Sequence, residues 1–256
     1  MGRLIAVGNL KGGTGKTTIA VNLACALRAA ERTVVLVDAD PQGSATDWQA
    51  GKLPVLVESL PLGGERDTRR WVARVLALKA GADCVVVDLP PQVGSGIASA
   101  LLLADVLLVP VSPSGVDLRA TGRVLELLRR ARSVRGSGRP AAMLVPSRID
   151  RRTVIGRCAH GTLARFGLQV GPEIRQRSAH VRAFAAGTWV GACAPGSPAH
   201  REIRVLQDRV LELLEAGAQS PAFGADPIGA VRSAPAIARY ERGDGMRGAA
   251  ASHAGV

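Results

Sequence analysis

The run Lys11-Gly12-Gly13-Thr14-Gly15-Lys16-Thr17-Thr18 has the residue types and the spacing to hold a phosphate chain. Its glycines let successive backbone N–H groups turn inward around phosphate oxygens. A helix starting at the end of the loop adds its partial positive charge. Lys16 is placed to reach the β and γ phosphates, and the Thr17 hydroxyl to ligate magnesium. Two apolar runs end in carboxylates: Val34-Val35-Leu36-Val37-Asp38-Ala39-Asp40-Pro41-Gln42 and Cys84-Val85-Val86-Val87-Asp88-Leu89-Pro90-Pro91. One aspartate at a strand end is ordinarily a cap or turn residue. Three of them beside a phosphate loop point instead to a magnesium–nucleotide site.

Such a loop works only between a strand and a helix, so the flanking pattern matters. Short apolar runs at 3–8, 33–38, 54–58, 83–88, 106–111 and 141–145 read as strands, with 54–58 the weakest. Helical patterns fill 16–30, 66–79, 117–134, 153–166 and 201–214. The Val/Leu/Ile runs are continuous rather than alternating, which implies a sheet covered on both faces. The expected fold is α/β: a doubly wound, mostly parallel sheet flanked by helices. In such sheets ligands bind beyond the strand C-termini, where all three aspartates fall. The 256 residues, 47% of them hydrophobic, suffice for one core. We expect one domain over residues 1–216. Beyond it the chain turns rich in Ala, Gly, Pro and Ser, and residues 217–256 are expected to be a disordered tail.

Composition narrows the setting. Cys25, Cys84, Cys158 and Cys193 are scattered without a CxxC pair, which suits reduced thiols rather than a metal site or disulfide framework. The opening residues lack a signal peptide's apolar core, and no apolar run is long enough to span a bilayer. A cytoplasmic location is expected. The net charge of +12 is uneven. Residues 119–210 carry eighteen arginines against Glu126, Asp150, Glu173, Glu202 and Asp208, while residues 1–118 are balanced. An arginine-biased composition explains the choice of Arg over Lys but not this imbalance, which points to a polyanion partner. Arg151, Arg152, Arg157 and Arg165 recur along one helical region, and Arg175, Arg177 and Arg182 cluster around a loop. With aromatics at 3%, phosphate contacts are favoured over base stacking, hence double-stranded DNA without sequence preference. Trp189 reads as a packing residue.

The loop departs from GxxxxGK[ST] in one informative way: Leu10 stands where glycine is usual, and Lys11 opens the loop. The form xKGGxGKT[ST] resembles the deviant Walker A motif of ParA/MinD-type ATPases. The segment from Asp38 to Gln42 resembles that family's DxDPQ motif, and the run ending at Asp88 its Walker B segment. Val109-Pro110-Val111-Ser112-Pro113-Ser114-Gly115-Val116-Asp117 resembles the PVxPSxxD turn of small plasmid-partition members, and Ile174-Arg175-Gln176-Arg177 their late IxxR segment. The resemblance covers about residues 3–215.

It implies ATP and magnesium as ligands, with residues 11–18 around the phosphates and Thr17, Asp38 and Asp88 at the metal. Asp40 would position the attacking water. Lys11 would cross to a partner subunit's phosphates in an ATP-dependent homodimer. Pro146 and Arg148 would lie beside the adenine. It further implies a slow ATPase that positions a cargo (a plasmid, a chromosome locus or a protein assembly such as a carboxysome). A small adaptor protein would stimulate hydrolysis, and the ATP-bound dimer would sit on the nucleoid. The alternative is a MinD-like membrane-associated ATPase, for which the amphipathic 201–214 segment would have to leave the core. A cluster-bearing reductase would need paired cysteines, and a ligase of the cobyrinate or dethiobiotin kind would not need Lys11.

Overall fold

The computed structural model describes residues 2–48, 53–63, 65–91, 95–112 and 115–216. Elements follow in the order β1 (Arg3–Val7), α1 (Lys16–Ala29), β2 (Val34–Asp38), α2 (Ser44–Trp48), β3 (Leu56–Ser59) and α3 (Glu65–Gly81). Then come β4 (Cys84–Asp88), α4 (Ser95–Leu103), β5 (Val106–Val111), α5 (Gly115–Arg135), β6 (Ala141–Ile149) and α6 (Val154–Ala164). The chain closes with β7 (Gln169–Val170), β8 (Ile174–Arg175), α7 (Ser178–Ala185), α8 (Val190–Cys193) and α9 (Pro198–Glu215). The strands pair in the order β3-β2-β4-β1-β5-β6-β7, with β8 also on β6. Every pairing among the described residues is parallel.

The central strands are buried on both faces, as continuous apolar runs require. Alternate residues feed two cores. Ile5, Val7 and Val86 face a layer holding Ile19 and Leu23 of α1 with Ile203 and Leu206 of α9. Leu4, Ala6, Val85 and Val87 face a layer holding Trp71 of α3, Leu101 of α4 and Leu125 of α5. The apolar face of α9, from Ala199 through Val210 to Leu214, is buried in this packing, so its amphipathic pattern serves the core. Trp189 is likewise packed, edge-on to His200.

Several elements differ from the sequence expectation. α4, SGIASALLL, is apolar nearly throughout and carries no helical period to read. α2 and α8 have five and four residues, too few for periodicity. α7 follows β8 within a stretch read only as a loop. β6 runs to Ile149 rather than 145, because pairing with β5 and β8 continues past Val145. The tail expected after residue 216 and the Pro113-Ser114 pair of the PVxPSxxD segment lie outside the described residues.

Candidate functional site

Register brings the carboxylates together. β4 lies between β1 and β2, and Asp88 is paired with Val7 on one side and Asp38 on the other. The loop leaving β1 passes beside them before turning into α1. Gly13 and Gly15 take φ of +75° and +87°, conformations that cost other residues strain. A Cβ on Gly15 would also come within 2.7 Å of Ser147 Oγ. The loop is thus held against the end of β6 as well as the start of α1.

Lys16 is 7% exposed and donates to the Lys11 carbonyl at 3.1 Å. Burial lowers its pKa, while Asp88 and Asp40 pull the other way. The Lys11 side chain is exposed, and its ammonium has no hydrogen bond or ion pair among the described residues. Asn9, absent from the sequence reading, is buried below the loop and donates to the Pro110 carbonyl of β5 at 2.8 Å.

The aspartates are not equivalent. Asp38 is 1% exposed and fully engaged. Its Oδ1 accepts from the Asp40 backbone N–H at 3.2 Å, and its Oδ2 from the Thr46 N–H and hydroxyl at 2.7 and 2.9 Å. Asp40 is half-buried and accepts from the Gln42 N–H at 3.0 Å. Asp88 is 1% exposed, and neither carboxylate oxygen has a hydrogen-bond partner of good geometry among the described residues. Burial pushes its pKa up to about 7; Asp38 and Asp40 add to that, and the nearby Thr17 hydroxyl and Lys16 oppose it. A buried carboxylate without donors, flanked by a second carboxylate and a hydroxyl, fits a hard cation with oxygen ligands. Thr17 and Asp88 would hold magnesium. Asp38, already holding three donors, would act from behind them through water.

A cleft of about 570 Å³ opens over the loop. Gly12, Gly13, Gly15, Lys16, Thr17, Thr18 and Asp40 line it together with Ser147 and Arg148. Arg148 holds a left-handed φ of +55° and donates to the Gly13 carbonyl at 2.7 Å, closing one side of the loop. Pro146 is buried in β6, paired with Val111, and does not line the cleft. The sequence reading missed the opposite wall, built by α2 and α7. Trp48 packs edge-on against Phe184 at 5.0 Å and donates from Nε1 to the Thr188 carbonyl at 2.8 Å. No motif flags these residues; the signal for Trp48 was an aromatic just after the DxDPQ segment, and Phe184 offered none.

The arginines singled out for DNA are mostly paired. Arg151 makes a two-pronged bond to Glu173, and Arg152 to Asp150. Arg175 lies 3.6 Å from Glu173, and Arg177 bonds Glu202. Arg157 donates to the carbonyls of Arg151 and Arg152. Arg182 is exposed, and its side chain makes no hydrogen bond or ion pair among the described residues. The net charge of this stretch is unchanged, but Arg151, Arg152, Arg175 and Arg177 are engaged with carboxylates rather than free.

Residues 5–189 match the CobQ/CobB/MinD/ParA nucleotide binding domain. The chain is 33% identical over 217 residues to the maintenance of carboxysome distribution protein A of Halothiobacillus neapolitanus, covering 81% of this chain and 95% of that protein. It is 28% identical over 237 residues to the chromosome-partitioning ATPase Soj of Thermus thermophilus, covering 82% and 95%. Among solved structures it resembles a variant of McdA from Cyanothece in complex with ATP, with a TM-score of 0.64 and 18% identity over 84% of this chain and 96% of that one.

Proposed function

This chain belongs to the CobQ/CobB/MinD/ParA nucleotide-binding family, and from that premise we propose that it is an ATP-hydrolysing positioning protein. The two relatives above differ in cargo, carboxysome against chromosome, and share the task of distributing it. That shared task is the one assigned here. ATP and magnesium are its ligands, and ATP-bound protomers pair face to face.

The observation that carries this reading is Lys11. It opens the phosphate loop, its backbone carbonyl holds Lys16, and its own ammonium is exposed and has no partner among the described residues. A cation in that place is available to a second subunit's phosphates, where it would offset charge as the site closes. Lys16 does the same within the subunit. Magnesium, when bound, adds Lewis-acid neutralisation of the phosphate oxygens. Asp40, at the rim of the cleft with one oxygen engaged, orients the attacking water. Among the described residues Gln176 is the one glutamine or glutamate that lines the cleft, and hydrolysis is proposed to stay slow until an adaptor stimulates it.

Pairing of protomers doubles the arginines presented on one surface, so the ATP form is the one that would hold double-stranded DNA. Arg182 leads that surface because its side chain has no ion pair among the described residues. Arg151, Arg152, Arg157, Arg175 and Arg177 contribute only as their ion pairs open. Location on the nucleoid follows from that binding. No described helix is long and apolar enough to cross a membrane.

Light scattering with ATP and magnesium tests the proposal. Wild type is expected to double in mass with ATP and not with ADP. Lys11→Ala should bind ATP and remain monomeric, and Asp40→Ala should accumulate as dimer. If both variants match wild type, the assignment of Lys11 and Asp40 is wrong.

A further inference from the structure

His180 lies on the face of α7 that lines the cleft. Arg177, His180, Val181 and Phe184 recur at helical spacing of three and four residues, and all four border the same cavity as the phosphate loop. The imidazole is 8% exposed, and neither Nδ1 nor Nε2 has a hydrogen-bond partner among the described residues. A buried polar ring without a partner is costly and calls for an explanation. The other side chains of α7 that are turned inward, Ala179 and Ala183, pack into the core and need none.

The placement of α7 says what the ring faces. The helix begins just after β8, which pairs with β6 at Ser147, and its far end is fixed by Phe184 on Trp48 of α2. It therefore crosses the cleft mouth from the β6 side to the β2 side, opposite the loop formed by residues 12–18. Phosphates held by that loop leave the rest of a nucleotide to run along this wall. Ile174 offers apolar surface there, and the neutral imidazole one donor and one acceptor. Sugar hydroxyls and base ring atoms carry both complementary groups.

We propose that His180 binds the nucleoside half of the bound nucleotide, through a hydrogen bond between its imidazole and a sugar hydroxyl or a base ring atom. The inference rests on the phosphate-loop reading, and its test separates the two. Magnesium-ADP and magnesium-tripolyphosphate are titrated calorimetrically into the full chain, its His180→Phe variant and its His180→Gln variant. Phe fills the space without hydrogen bonding; Gln restores a donor and an acceptor.

ADP affinity is expected to fall about tenfold in His180→Phe, the effect of one lost hydrogen bond to a ligand group left unpaired, and to recover largely in His180→Gln. Tripolyphosphate affinity should hold within roughly twofold, since one such bond is absent from that ligand. Repeating the titrations with 2′-deoxy-ADP and inosine diphosphate assigns the contact: the ligand lacking the contacted group loses its sensitivity to His180→Phe. Unchanged ADP affinity in His180→Phe would overturn the proposal. An equal loss for ADP and tripolyphosphate would overturn it too, because the ring would then only be holding the cleft's shape. Wild type that binds neither ligand refutes the phosphate-loop reading itself. Should His180→Phe fail to fold, the ring nitrogen resonances of His180 in the native chain decide. They should shift on adding ADP and not on adding tripolyphosphate; no shift with ADP overturns the proposal.

Discussion

Replacing Gly15 with alanine tests the joint between the phosphate loop and the end of β6. Two costs arise there. Gly15 sits at φ +87°, ψ +20°, where an L residue loses roughly 1–2 kcal/mol. The new methyl would also stand 2.7 Å from Ser147 Oγ. Ser147 is 2% exposed, so its hydroxyl has little room to swing away. Overpacking of this kind costs about 1–3 kcal/mol. The sum is roughly 2–5 kcal/mol of folding stability in Gly15→Ala, or the same strain expressed as a displaced loop and weaker nucleotide binding.

A double-mutant cycle separates the terms. Ser147→Ala alone removes only a hydroxyl and should cost under about 1 kcal/mol. Combined with Gly15→Ala it removes the collision and leaves the backbone strain, so the pair should recover about 1–3 kcal/mol relative to additivity. Urea denaturation of the four proteins, with ADP titration of each, gives the coupling. Strict additivity would refute the argument, because it would mean that residues 15 and 147 do not meet.

Thr46→Val removes the 2.9 Å hydroxyl bond to Asp38 but keeps the backbone one, so about 1 kcal/mol of stability should go, with a fall in ATP turnover; unchanged turnover would show that Asp38 does not need Thr46 to hold its place. Arg177→Ala leaves the half-buried Glu202 without its cation and should cost about 1–2 kcal/mol on denaturation, whereas Arg182→Ala should leave stability unchanged and weaken DNA binding; fluorescence anisotropy and urea melts on both variants would expose a reversal. Burial holds His180 below its ordinary pKa of 6.5, so the folded chain takes up this proton less readily than the unfolded one. Stability from this source is intact above pH 6.5 and is lost as pH falls through the folded value; His180→Phe should flatten that slope, and an unaltered pH profile would assign the slope to other groups.

The chemistry was legible in the sequence because it is local. A phosphate loop needs glycines, a lysine and a hydroxyl within eight residues, and strand-end aspartates follow their own apolar runs. The strands at Cys84–Asp88 and Val106–Val111 and the closing helix were readable for the same reason: burial writes itself into consecutive residues. What the sequence could not supply was adjacency. Nothing in the chain says that Asp38 pairs in register with Asp88, which arises because β4 inserts between β1 and β2. Nor does the sequence say that Asp38 and Asp88 are unlike, the first accepting from Thr46 and the Asp40 N–H and the second having no partner of good geometry among the described residues. Charge counting likewise failed to foresee that Glu173 and Glu202 pair with Arg151 and Arg177, since those partners lie more than twenty residues apart in the chain. The cleft's second wall was decided last of all. α7 carries no motif, and its anchoring at β8 and Trp48 places His180 in the cleft that the phosphate loop also lines, because a buried ring's surroundings are set by what packs around the helix and not by its place in the chain.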